Sequence, residues 1–131
     1  MIVKIEGIVI SEQPYGETSK IINILTKDQG IIGVMAKGAR KLKSDLANVS
    51  GKLNYGYFDL YYKQDKLSTL VSADIVNSFK AIRKDITKIS YASFLLELSS
   101  QVTKHNQSSY VFEYLIAIFL ECFLYNALSI S

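Results

Sequence analysis

Apolar and polar positions alternate in short runs along the first 78 residues of the chain. Each run is rich in β-branched and aromatic residues and ends at residues typical of turns, which is the pattern of β-strands rather than helices. The first run is expected to end before the Pro14-Tyr15-Gly16 turn. The predicted strands cover residues 2–10, 21–26, 30–36, 53–62 and 67–76. Five short strands in so short a segment favour a closed or nearly closed barrel, because closure removes unpaired strand edges.

The fourth run shows the two-residue period clearly. Successive side chains of a strand point to opposite faces. One face is predicted to carry Phe58, Leu60 and Tyr62. The opposite face then carries three further tyrosines, Tyr55, Tyr57 and Tyr61.

After Ser78 the period of the apolar residues becomes helical. Residues from Ile82 to Val102 recur at three- and four-residue spacing and predict an amphipathic helix. The polar stretch 101–109 is expected to separate it from a second, very apolar helix over residues 110–128. The pattern therefore divides the chain into a β domain, residues 1–79, and a helical segment, residues 80–131.

Charge is distributed unevenly between these parts. The net charge is +3, but residues 1–88 carry 14 Lys and Arg against 9 Asp and Glu. From residue 89 onward Lys104 stands against three glutamates. The β domain is thus the part of the chain suited to a polyanion.

One short segment concentrates that charge. Residues 37–43 follow the third apolar run and contain no acid. Their cations are Lys37, Arg40, Lys41 and Lys43. Such a loop suits the phosphates of a nucleic acid, because Lys and Arg contact the backbone without needing a particular base. A short charge run is, by itself, more often an ordinary solvated loop.

Residues typical of enzymes are sparse. His105 is the single histidine and lies in a polar stretch, and Cys122, the single cysteine, lies in an apolar one. Nucleotide-loop, dinucleotide-binding and His/Cys metal motifs are missing. We therefore expect no catalytic residues, no metal and no cofactor. The seven scattered glycines are expected to serve turns. The early charges Lys4 and Glu6 argue against a signal peptide, and the single cysteine fits a cytoplasmic protein.

Several ordered segments resemble the N-terminal half of the RecO family of bacterial recombination mediators. The opening EGIVI is followed by YGETSKII, and MAKGAR covers the start of the basic segment. Two later segments continue the resemblance. They are LSTL at residues 67–70 with SF at residues 78–79, and YASFLLEL in the predicted helix. No one piece is diagnostic, but their order and spacing over residues 1 to about 100 are specific.

This resemblance implies a five-stranded OB-fold barrel followed by the start of an α-helical domain. It also implies a non-enzymatic, nucleoid-associated protein that binds single- and double-stranded DNA and anneals complementary strands. The partners it implies are RecR, with which it loads a recombinase, and the single-strand-binding protein. A typical member is about twice as long as this chain. The alternative is a protein–protein adaptor whose barrel mainly docks RecR or another repair partner.

An OB barrel binds single strands by combining cations with stacking aromatic rings. With the resemblance, phosphate binding by the basic segment is favoured over a solvated loop. The predicted DNA-binding residues are Lys37, Arg40, Lys41, Lys43, Tyr55 and Tyr57. For the tyrosines an alternative stays open, namely packing against the helical segment. Tyr15, in the predicted turn, is expected to be structural.

The apolar segment 110–128 is long enough to span a bilayer. Glu113 and Glu121 lie within it and no positive cluster flanks it, so we expect no membrane insertion. Its apolar residues surround most of a helix, which requires burial on more than one side. Possible self-association through residues 110–128 is therefore predicted.

Overall fold

The described part of the chain is a closed five-stranded barrel with helices packed against it. The computed structural model describes residues 2–79, 86–105 and 112–118, and in the long helix the side chains of residues 90–101. The strands are β1 (Ile2–Tyr15), β2 (Ser19–Thr26), β3 (Ile31–Ala36), β4 (Tyr55–Tyr61) and β5 (Ser68–Asn77), and α1 is Ile86–His105. Residues 112–118 form a further helical segment. The predicted OB-type barrel followed by helices is confirmed.

The strands close in the order β1-β2-β3-β5-β4. All neighbouring pairs are antiparallel except β3 and β5, which are joined by the two pairs Val34 with Ser68 and Met35 with Thr69. The inward positions of the strands form one core cluster inside the barrel. Its largest fully buried members are Phe58, Ile22, Ile24, Leu60, Val9 and Val34. The predicted alternation on β4 is confirmed for Phe58 and Leu60, whereas Tyr62 lies beyond the end of the strand.

The predicted end of the first strand is wrong. β1 continues through Pro14 to Tyr15 and pairs with β2 as far as Tyr15 opposite Ser19. On its other edge, β1 pairs with β4 only from Ile2 to Ile8. Proline lacks a backbone N–H and is tolerated where a strand has a partner on one side. This explains why Pro14 does not end β1.

Three glycines, Gly7, Gly33 and Gly56, lie inside strands and not in turns as expected. Gly7 of β1 stands opposite Gly56 of β4, and Gly56 also lies at a register irregularity between β4 and β5. A Cβ on Gly7 would lie 2.8 Å from the carbonyl oxygen of Leu25. At this point of the barrel neighbouring backbones approach too closely for a side chain, which is a known role of glycine in strands.

A second core cluster joins the barrel to the helices. From α1 it takes Ala92 and Leu96, and from the helical segment 112–118 it takes Phe112, Leu115 and Ile116. These pack against buried barrel side chains that include Ile8, Ile10, Leu25, Leu53 and Phe79. Because both faces of β1 are covered here, its residues 7–10 are all buried.

The first half of the polar stretch 101–109 is helical, because α1 continues to His105. Residues 106–109 lie outside the described residues, so a break between the helices in this stretch stays a prediction. Of the predicted helix 110–128, residues 112–118 are helical, and they bury one face against the chain's own core. The rest of that segment and Cys122 lie outside the described residues. Self-association through residues 110–128 therefore stays a prediction. The described helices include none that is long and apolar enough to cross a membrane.

Candidate nucleic-acid interface

The four predicted cations lie together on one exposed loop between β3 and β4. We call residues 37–43 the basic loop. The side chains of Lys37, Arg40, Lys41 and Lys43 are all exposed. Ala39, in their middle, is buried in the barrel cluster. The loop is therefore anchored on its apolar residue and presents its charges to solvent.

Hydrogen bonds brace the basic loop against the turn between β1 and β2. The Arg40 guanidinium donates to the Gly16 carbonyl at 2.6 Å, and the Arg40 amide donates to the Thr18 carbonyl at 2.8 Å. The Gly38 amide donates to the Ser19 hydroxyl at 3.1 Å. A guanidinium has five N–H donors, so Arg40 keeps donors for a phosphate. Arg40 thus holds the loop in place as well as carrying charge.

The lysines of the basic loop form no ion pair within the part of the chain that the structure describes. Among the described residues, ion pairs join Lys4 to Asp59 and Asp74, and Lys20 to Glu12. Lys37, Lys41 and Lys43 take part in none of them. Their charges are therefore not neutralised within the described structure, and they create a positive potential in front of the loop.

Tyr55 does not join the basic loop. Its hydroxyl donates to the Glu6 carboxylate at 2.7 Å, and its ring packs against Phe112 at a centroid distance of 6.1 Å. Tyr55 therefore belongs to the contact between the barrel and the helices. This agrees with the alternative stated above for the tyrosines, namely packing against the helical segment. Burial, then the hydrogen bond to Glu6 and that carboxylate's charge, raise the pKa of the Tyr55 hydroxyl above its usual range.

This raised pKa predicts a loss of stability in alkaline solution. The folded protein holds the Tyr55 proton more tightly than the unfolded chain, whose tyrosines titrate near pH 10. The stabilisation is thus complete below about pH 10 and is lost as pH rises above it. Urea denaturation at about pH 8 and about pH 11 should show a smaller alkaline loss in Tyr55→Phe than in the wild type. An equal loss in both proteins would contradict the prediction.

Tyr57 is 39% exposed, but its neighbours on the sheet are acidic. It stands opposite Glu6 of β1 and Asp74 of β5, and Asp59 follows two residues later on the same face. We call these three carboxylates the acidic face. Lys4 ion-pairs with Asp74 at 3.4 Å and with Asp59 at 3.8 Å. A surface with three carboxylates and one paired lysine repels phosphates.

The structure also separates Tyr57 from the basic loop. Glu6, its neighbour, lies nine residues before Tyr15 on β1, roughly 30 Å along the strand. The basic loop contacts the turn that follows Tyr15. The predicted site residues therefore divide into four cations in one loop and two tyrosines elsewhere.

Two exposed side chains, one within the basic loop and one beside it, were not among the predicted DNA-binding residues; the sequence analysis did not single out Leu42 and expected Tyr15 to be structural. Leu42, between two of its lysines, is 97% exposed. Tyr15 is 54% exposed and precedes Gly16, whose carbonyl accepts the Arg40 hydrogen bond. The sequence signal for Tyr15 is its position beside a turn, but contact between that turn and the basic loop is a tertiary feature.

Glu12 fixes the segment that leads from the basic loop to β4. One of its oxygens accepts from the Lys20 ammonium at 3.0 Å, and the other accepts from the Lys52 amide at 2.6 Å. The Lys52 ammonium in turn donates to the Ser93 hydroxyl of α1 at 3.2 Å. The position of the loop segment is thereby coupled to both the barrel and α1.

The described residues contain no group of three or more His, Cys, Asp or Glu side chains placed to hold a metal ion. His105 is the last residue of α1.

Comparisons with known proteins identify relatives of the chain. Residues 1–79 match the family described as Recombination protein O N terminal. The DNA repair protein RecO of Bacillus cytotoxicus is 43% identical over 116 residues, which cover 88% of this chain and 46% of the relative. The DNA repair proteins RecO of Bacillus cereus and Bacillus anthracis are 44% identical over 118 residues, with the same coverage. The chain thus spans about half the length of the curated relatives it matches.

Proposed function

The chain belongs to the RecO family, and from this premise we propose that it is a DNA-binding and strand-annealing module of recombinational repair. The family supports a role in DNA repair and recombination. The observation that carries the finer proposal is the braced basic loop, whose three lysines have no acidic partner among the described residues. Such cations bind the phosphates of a nucleic acid whatever its base sequence.

The same chemistry favours annealing. A loop that contacts phosphates leaves the base edges free to pair with a second strand. Cations between two strands also reduce the repulsion between their backbones. The work of the chain is then binding and alignment, not catalysis, and we propose that it is not an enzyme and needs no cofactor.

Base contacts are assigned to one exposed side chain beside the basic loop and one within it. Tyr15 offers an exposed ring for stacking, and Leu42 offers an exposed apolar side chain within the loop. Stacking on an aromatic ring contributes about 1–3 kcal/mol per base. Tyr57 lies next to the acidic face, and Tyr55 packs against Phe112, so we propose Tyr15 and Leu42 in their place.

The domain and partner assignments that come from the family are part of the proposal. Residues 1–79 form the DNA-binding domain and residues 80–131 the beginning of a helical domain. The partners are single- and double-stranded DNA, RecR and the single-strand-binding protein. Loading of a recombinase and a cytoplasmic, nucleoid-associated location follow from the same assignment.

A second function, the protein–protein adaptor, is favoured by one specific observation. The acidic face and the exposed rings of Tyr57 and Tyr61 form a surface unsuited to DNA. Tyrosines are enriched at protein-binding surfaces, and the carboxylates around them complement a partner of opposite charge. A partner such as RecR would dock there through a basic patch, while the basic loop remains available to DNA.

A salt series tests the DNA-binding proposal. Binding of a fluorescent oligothymidine to the wild type is measured by anisotropy between low and moderate salt. Each phosphate contact contributes about 0.7 to the slope of log K against log salt for single strands. We expect a slope of two or more units, roughly three or more contacts. No binding at low salt would reject the DNA-binding module and leave the adaptor function.

A further inference from the structure

A cleft lies at the end of β3 that is far from the basic loop. The turns β2–β3 and β4–β5 enclose about 540 Å³ between them. We call it the Tyr62 cleft, after the aromatic residue that lines it. Its volume lies in the range of about 300–1,000 Å³ that is common for small-ligand sites. A site of this size accommodates one nucleotide.

Both walls of the Tyr62 cleft are held by hydrogen bonds. The Gln29 amide donates to the Thr26 hydroxyl at 2.8 Å, and that hydroxyl donates to the Gly30 carbonyl at 2.6 Å. On the other wall the Lys63 amide donates to the Ser68 hydroxyl at 3.0 Å. The cleft is therefore preformed, which lowers the entropic cost of binding.

The groups that line the Tyr62 cleft match the parts of a nucleotide. Tyr62 is 37% exposed, so part of its ring is available for stacking. Side-chain amides of Gln29 and Gln64 donate and accept hydrogen bonds, as base edges require. Lys63 and Lys66 supply two cations against the single carboxylate of Asp65, and neither has an ion-pair partner among the described residues.

Strand β3 places the Tyr62 cleft in line with the basic loop. Gly33 lines the cleft, and Met35 follows it at two-residue spacing on the same side of β3. The strand ends at Ala36, and the basic loop begins at the next residue. Lys37 is four residues after Gly33, which corresponds to about 13 Å at the rise of an extended chain. On the neighbouring strand Ile21 and Asn23 pair with Met35 and Gly33. None of these residues is acidic, and the carboxylate of Glu97 of α1 lines a separate pocket with Asn23.

We propose that the Tyr62 cleft is a second nucleotide-binding site for the strand that the basic loop holds. A base stacks on Tyr62 with its edge toward the glutamine amides, and the adjacent phosphates contact Lys63 and Lys66. The inference rests on the proposed DNA-binding function and adds a site that the basic loop does not include. Single-strand sites on comparable barrels cover about 4–16 nucleotides, which is enough to reach both places.

Two pairs of variants test this site in the full chain, with an oligothymidine of about 15 nucleotides as the probe. Tyr62→Leu removes the ring, and its matched control Tyr62→Phe keeps it. Lys63→Gln with Lys66→Gln removes the charges, and Lys63→Arg with Lys66→Arg keeps them. We expect Tyr62→Leu to weaken binding about tenfold with an unchanged salt slope. We expect the glutamine pair to lower the slope by about 1.4 units. Both controls should bind like the wild type.

The outcomes separate this inference from the proposed function. If the wild type binds and the basic-loop lysines contribute, but Tyr62→Leu and the glutamine pair bind unchanged, the second site is rejected and the DNA-binding function stands. If the wild type does not bind at low salt, both are rejected. Equal loss in Tyr62→Leu and Tyr62→Phe would also reject stacking. Thermal unfolding of each variant shows whether a loss of binding reflects a loss of fold.

Discussion

Replacing Lys37, Lys41 and Lys43 together by glutamine is expected to weaken single-stranded DNA binding roughly a hundredfold at 0.1 M salt. The three ammonium groups are exposed and have no acidic partner among the described residues. Each lost phosphate contact removes about 0.7 from the salt slope, so three remove about 2. Between a 1 M reference, where these contacts contribute little, and 0.1 M this amounts to about two orders of magnitude in affinity. Anisotropy titrations over a salt series measure both quantities.

The matched control replaces the same three lysines by arginine, which retains the charges and should retain affinity and slope. Leu42→Ser, which changes an exposed side chain of the loop without changing charge, should leave the slope unchanged. Stability should be unaffected in all three proteins, because these side chains are exposed and surface substitutions change stability by about 0.5 kcal/mol or less. A glutamine variant with wild-type affinity and slope would show that the basic loop is ordinary solvated surface.

The barrel could be predicted from the sequence because its pattern is local. Alternation of apolar and polar residues follows directly from the pleat of a strand, and on β4 it identifies Phe58 and Leu60 as inward-facing. The basic loop could be predicted for the same reason, since its four cations lie within seven residues of the chain. Ala39, which anchors the loop, gives no such signal, because a single alanine has no periodic partner.

The tyrosines of β4 show where local reasoning ends. Alternation places Tyr55 and Tyr57 on one face, and the structure has them there. What lies across from that face depends on strand register, which the residues of β4 alone do not reveal. The register puts Glu6 and Asp74 beside Tyr57, and the helical segment covers Tyr55 with Phe112. Two neighbouring tyrosines thus have different surroundings, and neither lies at the basic loop.

Glycine is the other residue whose role sequence alone does not determine. A glycine in a turn and a glycine at a close approach of two backbones have the same appearance in the chain. Gly16 has a positive φ of 65° and open space around its Cα. Gly56 has the opposite situation, because the backbone of β5 occupies the place of a side chain. Only the pairing of β4 with β5 distinguishes these two glycines.

Gly56→Ala is therefore expected to destabilise the barrel by about 3 kcal/mol or more, the upper range for overpacking in a tight core. The added Cβ would overlap the carbonyl oxygen of Asp74 and lie 2.8 Å from the Cα of Ile75. Both atoms belong to the backbone of β5, so relief requires the strands to separate. Gly16→Ala is the matched control, since its Cβ meets nothing within 4 Å and only the positive φ opposes it. We expect it to cost about 1–2 kcal/mol. Urea denaturation of both variants measures the difference, and equal destabilisation would mean that β4 and β5 do not approach this closely at Gly56.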